Sequence, residues 1–239
     1  SLGITCGKRS ENYHNKLPDW ITNGSLLTQR EFCSGFQGGD GCKIRYNKLN
    51  KKGFNIICAK TSNQINPKYL ESLQFVFNQI VTMFRKFNIE INDVQTKNIS
   101  ENRIEVSYKI LDKKDNLIKY FDTIGYGYCE HKFKDSAIVI EYLKYNKVIS
   151  KNKIEKIKKL IENSVSNKDI IQTMDITESK LYDIKRSIKM NRKIGSPNIK
   201  LDFDNWKKII EIKENCIFLP ITVKSKENCM IADITVENE

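Results

Sequence analysis

Residues 34–41, SGFQGGDG, close an otherwise good helix-forming run, 26–41 (LLTQREFCSGFQGGDG). Each glycine in a helix interior costs about 1 kcal/mol relative to alanine, so Gly35, Gly38 and Gly39 together demand compensation. Close approach of another backbone supplies it. Ser34/Gly38 and Gly35/Gly39, each pair four residues apart, make two flat strips on one side, where a second helix fits nearly backbone to backbone. Asp40 adds a second demand, because a carboxylate at a helix C-terminus faces the negative end of the dipole and the last free carbonyls. A cation reverses that sign. If two such helices cross and end together, two aspartates and several carbonyl oxygens, those of Gly39 included, form a hard-oxygen cage suited to Mg²⁺. The same residues also fit a plain helix-stopping turn, and spacing alone leaves both open.

The partner classes follow from charge. With 41 Lys+Arg against 29 Asp+Glu the 239-residue chain carries a formal +12, and 39% hydrophobic residues suffice for a folded core. No window approaches the ~18 uninterrupted apolar residues of a membrane span. The seven cysteines are odd in number, widely spaced and free of any C-x-x-C pair. They read as reduced thiols of an intracellular protein, and with only His14 and His131 beside them a structural zinc site lacks ligands. The chain starts at Ser1 and stops in a strand-like run, the expectation for a piece of a longer polypeptide.

Residues 1–25 read as a linker anchored by Leu17, Trp20 and Ile21. In 43–48, Lys43, Arg45 and Asn47 alternate with Ile44 and Tyr46, which predicts a strand with its basic and amide groups on one face. After a turn at Lys52-Gly53, 54–60 reads as the returning strand. Asn66-Pro67 then caps a helix whose apolar positions Leu70, Leu73, Phe77, Ile80, Phe84 and Phe87 step by three and four. Residues 103–110 alternate as a half-buried strand, and 116–124 as a short helix. The order helix, strand, strand, helix, strand(s), helix predicts an α+β unit over 26–148.

Beyond a helix at 133–145, residues 151–193 hold twelve basic and six acidic residues, half of the net charge in under a fifth of the length. Short helices at 153–161, 167–174 and 178–188 predict a helix-turn-helix module within 149–195, with Leu181, Ile184 and Ile188 on the buried side of its last helix. A last module, 196–239, opens with a helix at 203–212. From 214 onward the charge turns to −3, with strand-like runs at 216–223 and 230–236.

SGFQGGDG resembles the LAGLIDADG motif of homing endonucleases, and the element order after it is similar to one repeat, αββαββα, of that fold. KLPDWI (16–21), REFCSGFQGGDG (30–41) and IGYGYCEHK (124–132) are similar to endonuclease segments embedded in inteins. MIADITV (230–236) resembles a late intein block, with Asp233 at its aspartate. The resemblance implies a site-specific double-strand DNA endonuclease, dependent on Mg²⁺, in which a β-saddle lies in the major groove and paired motif helices present two acids to the phosphates. Asp40 matches one acid. The other falls to a second repeat, upstream in the parent chain or in a second copy, with the host protein's exteins as further partners. The family also places a lysine near each acid; Lys113 in LDKKDN matches that loop, with Lys60 second. For DNA contact the resemblance and the basic faces together nominate Lys43, Arg45, Asn47, Lys48 and Lys60 on the saddle and Lys180, Tyr182, Arg186 and Lys189 on the recognition helix. The runner-up is a DNA-binding remnant without a competent second acid, inside a protein-splicing element.

Overall fold

The structure, a computed structural model, describes residues 16–49, 53–57, 59–195, 202–213 and 216–218. It is an α+β fold whose described residues form eight α-helices, a three-stranded antiparallel sheet and two two-stranded ribbons. Helix α1 (Asp19–Thr22) leads into α2 (Leu26–Asp40), which the Ser25 hydroxyl caps by accepting the Thr28 N–H at 3.1 Å. Of the anchors expected for residues 1–25, Ile21 is buried and the Leu17 N–H donates to Gln79 at 2.8 Å, while Trp20 is half exposed.

The expected hairpin divides in two. Strand β1 (Arg45–Leu49) pairs with β2 (Gly53–Ile57), and the chain then starts a separate strand, β3 (Lys60–Ile65). Ala59 is fully buried between them, so the predicted strand over 54–60 bends into the core there. A 3-10 turn (Pro67–Tyr69), capped by Asn66, opens α3 (Leu70–Lys86). Its predicted stripe is the centre of the core: Leu73, Phe77, Ile80 and Phe84 are all fully buried. Next come β4 (Gln95–Ser100) and β5 (Arg103–Lys109), and β5 lies between β3 and β4. Strand β4 is exposed along its whole length, so it offers no apolar alternation to a sequence reader. On β5 the predicted period holds, with Val106 and Tyr108 fully buried against α3.

Helix α4 (Lys114–Thr123) precedes a glycine-containing turn and then α5 (Glu130–Glu162), 33 residues or about 50 Å long. The helices expected at 133–145 and 153–161 are one. Between them Asn146 and Ser150 look like a polar break, yet both are buried, and no Gly or Pro interrupts the run. The expected boundary at 148/149 therefore falls inside a continuous helix. The first half of α5 adds Val139, Ile140 and Leu143 to the main core. Its second half gives Ile157 to a smaller core with Ile170 of α6 (Asn167–Met174) and Leu181 and Ile184 of α7 (Glu178–Lys189). Ile188, expected on that buried side, is largely exposed, because the small core ends one turn earlier.

Helix α8 (Phe203–Ile209) ends before the predicted 212 and passes into a ribbon of β6 (Glu211–Lys213) and β7 (Cys216–Phe218). Trp206 of α8 is fully buried against Tyr142 and Tyr145 of α5, and Phe203 stacks on Tyr46 of β1 with ring centroids 4.3 Å apart. Asp233 and the run 230–236 lie outside the described residues. Among the described residues no helix is long and apolar enough to cross a membrane.

Candidate nucleic-acid interface

Asp40 is the last residue of α2, which closes at its glycine-rich end as predicted, and Asp40 is exposed. The two small-residue strips have different fates. The Ser34/Gly38 strip is covered by this chain's own 124–129 turn. The Ser34 hydroxyl donates to the Ile124 carbonyl at 2.7 Å and accepts the Gly127 N–H at 2.6 Å. A Cβ on Gly38 would stand 2.5 Å from the Gly127 carbonyl oxygen, and one on Gly127 would stand 2.5 Å from the Ser34 hydroxyl. A turn, then, makes the backbone approach there, not a second helix. The other strip is open: a Cβ on Gly39 meets nothing within 4 Å. Beside it Tyr128, 89% exposed at φ +64°, leans its ring edge over Gly35.

A cation does reach the carbonyl end of α2, and it belongs to the protein. Lys132, in the first turn of α5, donates to the carbonyls of Gly38 at 2.7 Å, Gly39 at 2.9 Å and Gly41 at 2.7 Å. An ammonium has three N–H donors, and all three are used. A lysine in the first turn of a helix stands at its own positive dipole end, so Lys132 gains by turning to the negative end of α2. Sequence reading missed this residue. Its signal was the pair Gly125 and Gly127 just before it, which marks a tight turn of the kind that docks on another element.

Within α2, Gln37 is fully buried and its side-chain Oε1 accepts from Thr61 at 2.9 Å and Tyr108 at 3.3 Å. This links the motif helix to β3 and β5. Burial raises the Tyr108 phenol far above its ordinary range, and burial likewise pushes the Cys33 thiol of α2 up to about 12. Both stay protonated and neutral. At Gln37 the motif helix is held by neutral hydrogen bonds, and at its end by the Lys132 ammonium.

The basic residues fall on three surfaces. Register places Lys60, Ser62 and Gln64 of β3 beside Lys109, Ser107 and Glu105 of β5, and Lys97 and Gln95 of β4 beside Glu105 and Ser107. This is the outer face of the three-stranded sheet, on which Ser107 of the central strand is itself buried, and of its residues the sequence nominates only Lys60 for DNA contact. Lys60 pairs with Glu105 at 2.8 Å, next to the end of α2, where the Cys42 N–H donates to the Lys60 carbonyl. On the separate β1–β2 ribbon, Arg45 is exposed and Lys43, just ahead of it, pairs with Asp135 of α5. Asn47 and Lys48 lie in β1 opposite Asn55 and Phe54. The single saddle face expected over 43–60 is therefore two surfaces, parted by the bend at Ala59. The third surface is α7, where Tyr182, Arg186 and Lys189, at i, i+4 and i+7, are exposed on one side. Lys180 is half-buried, at 3.5 Å from a Cβ built on Gly195. Lys113, at the N-cap of α4, pairs with Glu90. Among the described residues no three His, Cys, Asp or Glu side chains come together as a metal site.

A motif helix ending in an acid over a polar sheet, with a basic helical module attached, defines an α+β protein with exposed basic residues on its sheet and on α7. No protein-family profile matches the chain. It is similar to tRNA-splicing ligases RtcB: 25% identical over 155 residues to that of Methanopyrus kandleri, and 23% over 158 residues to that of Pyrococcus abyssi. The matches cover 64% and 66% of this chain but 15% and 16% of those proteins, so the chain spans about a sixth of the relatives' length. The similarity is distant.

Proposed function

We propose that the chain is one half of a site-specific endonuclease for double-stranded DNA, carried within an intein. The observation that supports it best is the element order α2, β1, β2, β3, α3, β4, β5, α4, in which a helix ending GGDG stands over an antiparallel sheet with a polar outer face. This is similar to a LAGLIDADG repeat, with β3 added by the split of the returning strand. The match to about a sixth of much longer ligases agrees with an inserted element in such a host. In this reading the β1–β2 ribbon, the sheet face and the α7 face hold duplex DNA, lysines gripping phosphate and Arg45, Arg186 and the amides reading base edges. Asp40 is one of two acids. The second comes from another repeat or a second copy seated on the open Gly35/Gly39 strip.

Mg²⁺ belongs to this reading, but the donor set of this chain alone does not fit it. This helix end carries one carboxylate, and the Gly38, Gly39 and Gly41 carbonyls already accept from an ammonium. That observation favours the second reading, a DNA-binding remnant. The two separate in one experiment: the full parent polypeptide is incubated with duplex DNA carrying the host coding sequence with the insertion removed, with and without Mg²⁺. Metal-dependent double-strand cleavage, lost in Asp40→Asn with binding retained, is expected. Cleavage that survives Asp40→Asn ends the assignment of that residue. Binding without cleavage, with log K falling by about 0.9 per log unit of salt for each phosphate contacted, establishes the remnant.

A further inference from the structure

We propose that Lys132 stands in for the divalent ion at the end of α2, so that this chain by itself holds no metal there. The inference takes from the endonuclease reading only the choice of ion, and everything else in it concerns residues of this chain. A helix end with clustered carbonyls and a carboxylate needs positive charge. Here the need is met covalently. The ammonium sends one N–H to each of three carbonyls at 2.7, 2.9 and 2.7 Å, which spends all its donors and takes the oxygens that would face an ion.

The tether is rigid at both ends. Lys132 stands in the first turn of α5, and the turn before it is locked to α2 through Ser34, Gly127 and Gly38. A magnesium-sized ion needs near-octahedral oxygens at about 2.0–2.1 Å, and could reach the Gly38, Gly39 and Gly41 carbonyls only by displacing the ammonium. Lys132 is thus a positioning residue. It fixes the α2 terminus, and with it Asp40, before any partner arrives.

Mn²⁺ serves as the probe, its free fraction followed by electron paramagnetic resonance on the chain without DNA. The wild type is expected to show no saturable binding at the α2 end. Lys132→Met is expected to melt at lower temperature and to bind Mn²⁺ at least about tenfold more tightly than the wild type. The double variant Lys132→Met/Asp40→Asn is expected to lose that gain. Equal Mn²⁺ affinity in wild type and Lys132→Met overturns the proposal. Should Lys132→Met fail to fold, paramagnetic broadening of the Gly39 and Gly41 amide resonances in the wild type decides: none at equimolar Mn²⁺ supports the proposal, and strong broadening sinks it. These readouts need no DNA cleavage, so a failed endonuclease reading leaves them unchanged.

Discussion

The unit built on α3 and the three-stranded sheet and the unit built on α6 and α7 hang from the same helix, yet they are held together differently. The first buries a large aromatic and aliphatic core around Phe77, Phe84 and Tyr108. The second buries four residues, Ile157, Ile170, Leu181 and Ile184. A module that small has little margin of its own and borrows stability from α5. Its helices turn their charge outward, whereas the first unit pairs Lys43, Lys60 and Lys113 with acids. One region is built to hold a shape and the other to present a face.

The largest expected effects test this division. Phe77→Ala empties a fully buried site that touches Phe36 and Tyr108, and is expected to cost about 3–5 kcal/mol of global stability. Ile184→Ala is expected to open only the α6–α7 module. Amide hydrogen exchange distinguishes them: Phe77→Ala should accelerate exchange in β5 and α7 alike, and Ile184→Ala in α7 alone. Loss of β5 protection in Ile184→Ala would make the molecule a single cooperative unit.

What could be read without a structure follows the same line. The α3 stripe, α6, α7 and the α2 ending were legible because each is written within one stretch of chain, in an apolar period, a cap or a run of glycines. The division of the hairpin at Ala59, the exposed strand β4 and the continuity of α5 through Asn146 and Ser150 depend on partners far away in sequence. So does Lys132. The need for a cation at Asp40 was visible, but any of many lysines could have met it, and only the docking of the 124–129 turn on Ser34 and Gly38 selects this one.

A middle-sized effect separates the two strips of α2. Gly38→Ala drives a methyl against the Gly127 carbonyl, which is backbone and cannot swing away, and is expected to destabilise by about 1–3 kcal/mol. Gly39→Ala has open space and is expected to stabilise the isolated chain by about 0.5–1 kcal/mol. Thermal unfolding of the two variants gives the comparison. If a second repeat sits on the Gly39 strip, the stabilising variant is also the one that weakens pairing with it, and stability and association then move in opposite directions.

The smallest effect concerns the bridge between the two units. The Asp115 carboxylate of α4 accepts from Lys147 of α5 at 2.9 Å and from Lys193, just past α7, at 3.4 Å. The hydrogen bond from Lys147, opposed by slight burial and helped by Lys193, holds this carboxyl below its ordinary value of 3.8. Because its folded pKa is the lower one, the unfolded chain takes up a proton first as pH falls. The contribution is therefore complete above the ordinary carboxylate range and disappears as pH drops through the depressed folded value. Asp115→Asn is expected to lower the melting temperature slightly at neutral pH, with the difference from wild type closing in acid. Both lysines are well exposed, so high salt should shrink that difference as well. If the bridge ties the small module to the large one, the change in hydrogen exchange should appear at the α7 end, near Lys193. A difference that persisted below the acid transition would instead assign the role of Asp115 to its place in the first turn of α4, with no electrostatic link between the units.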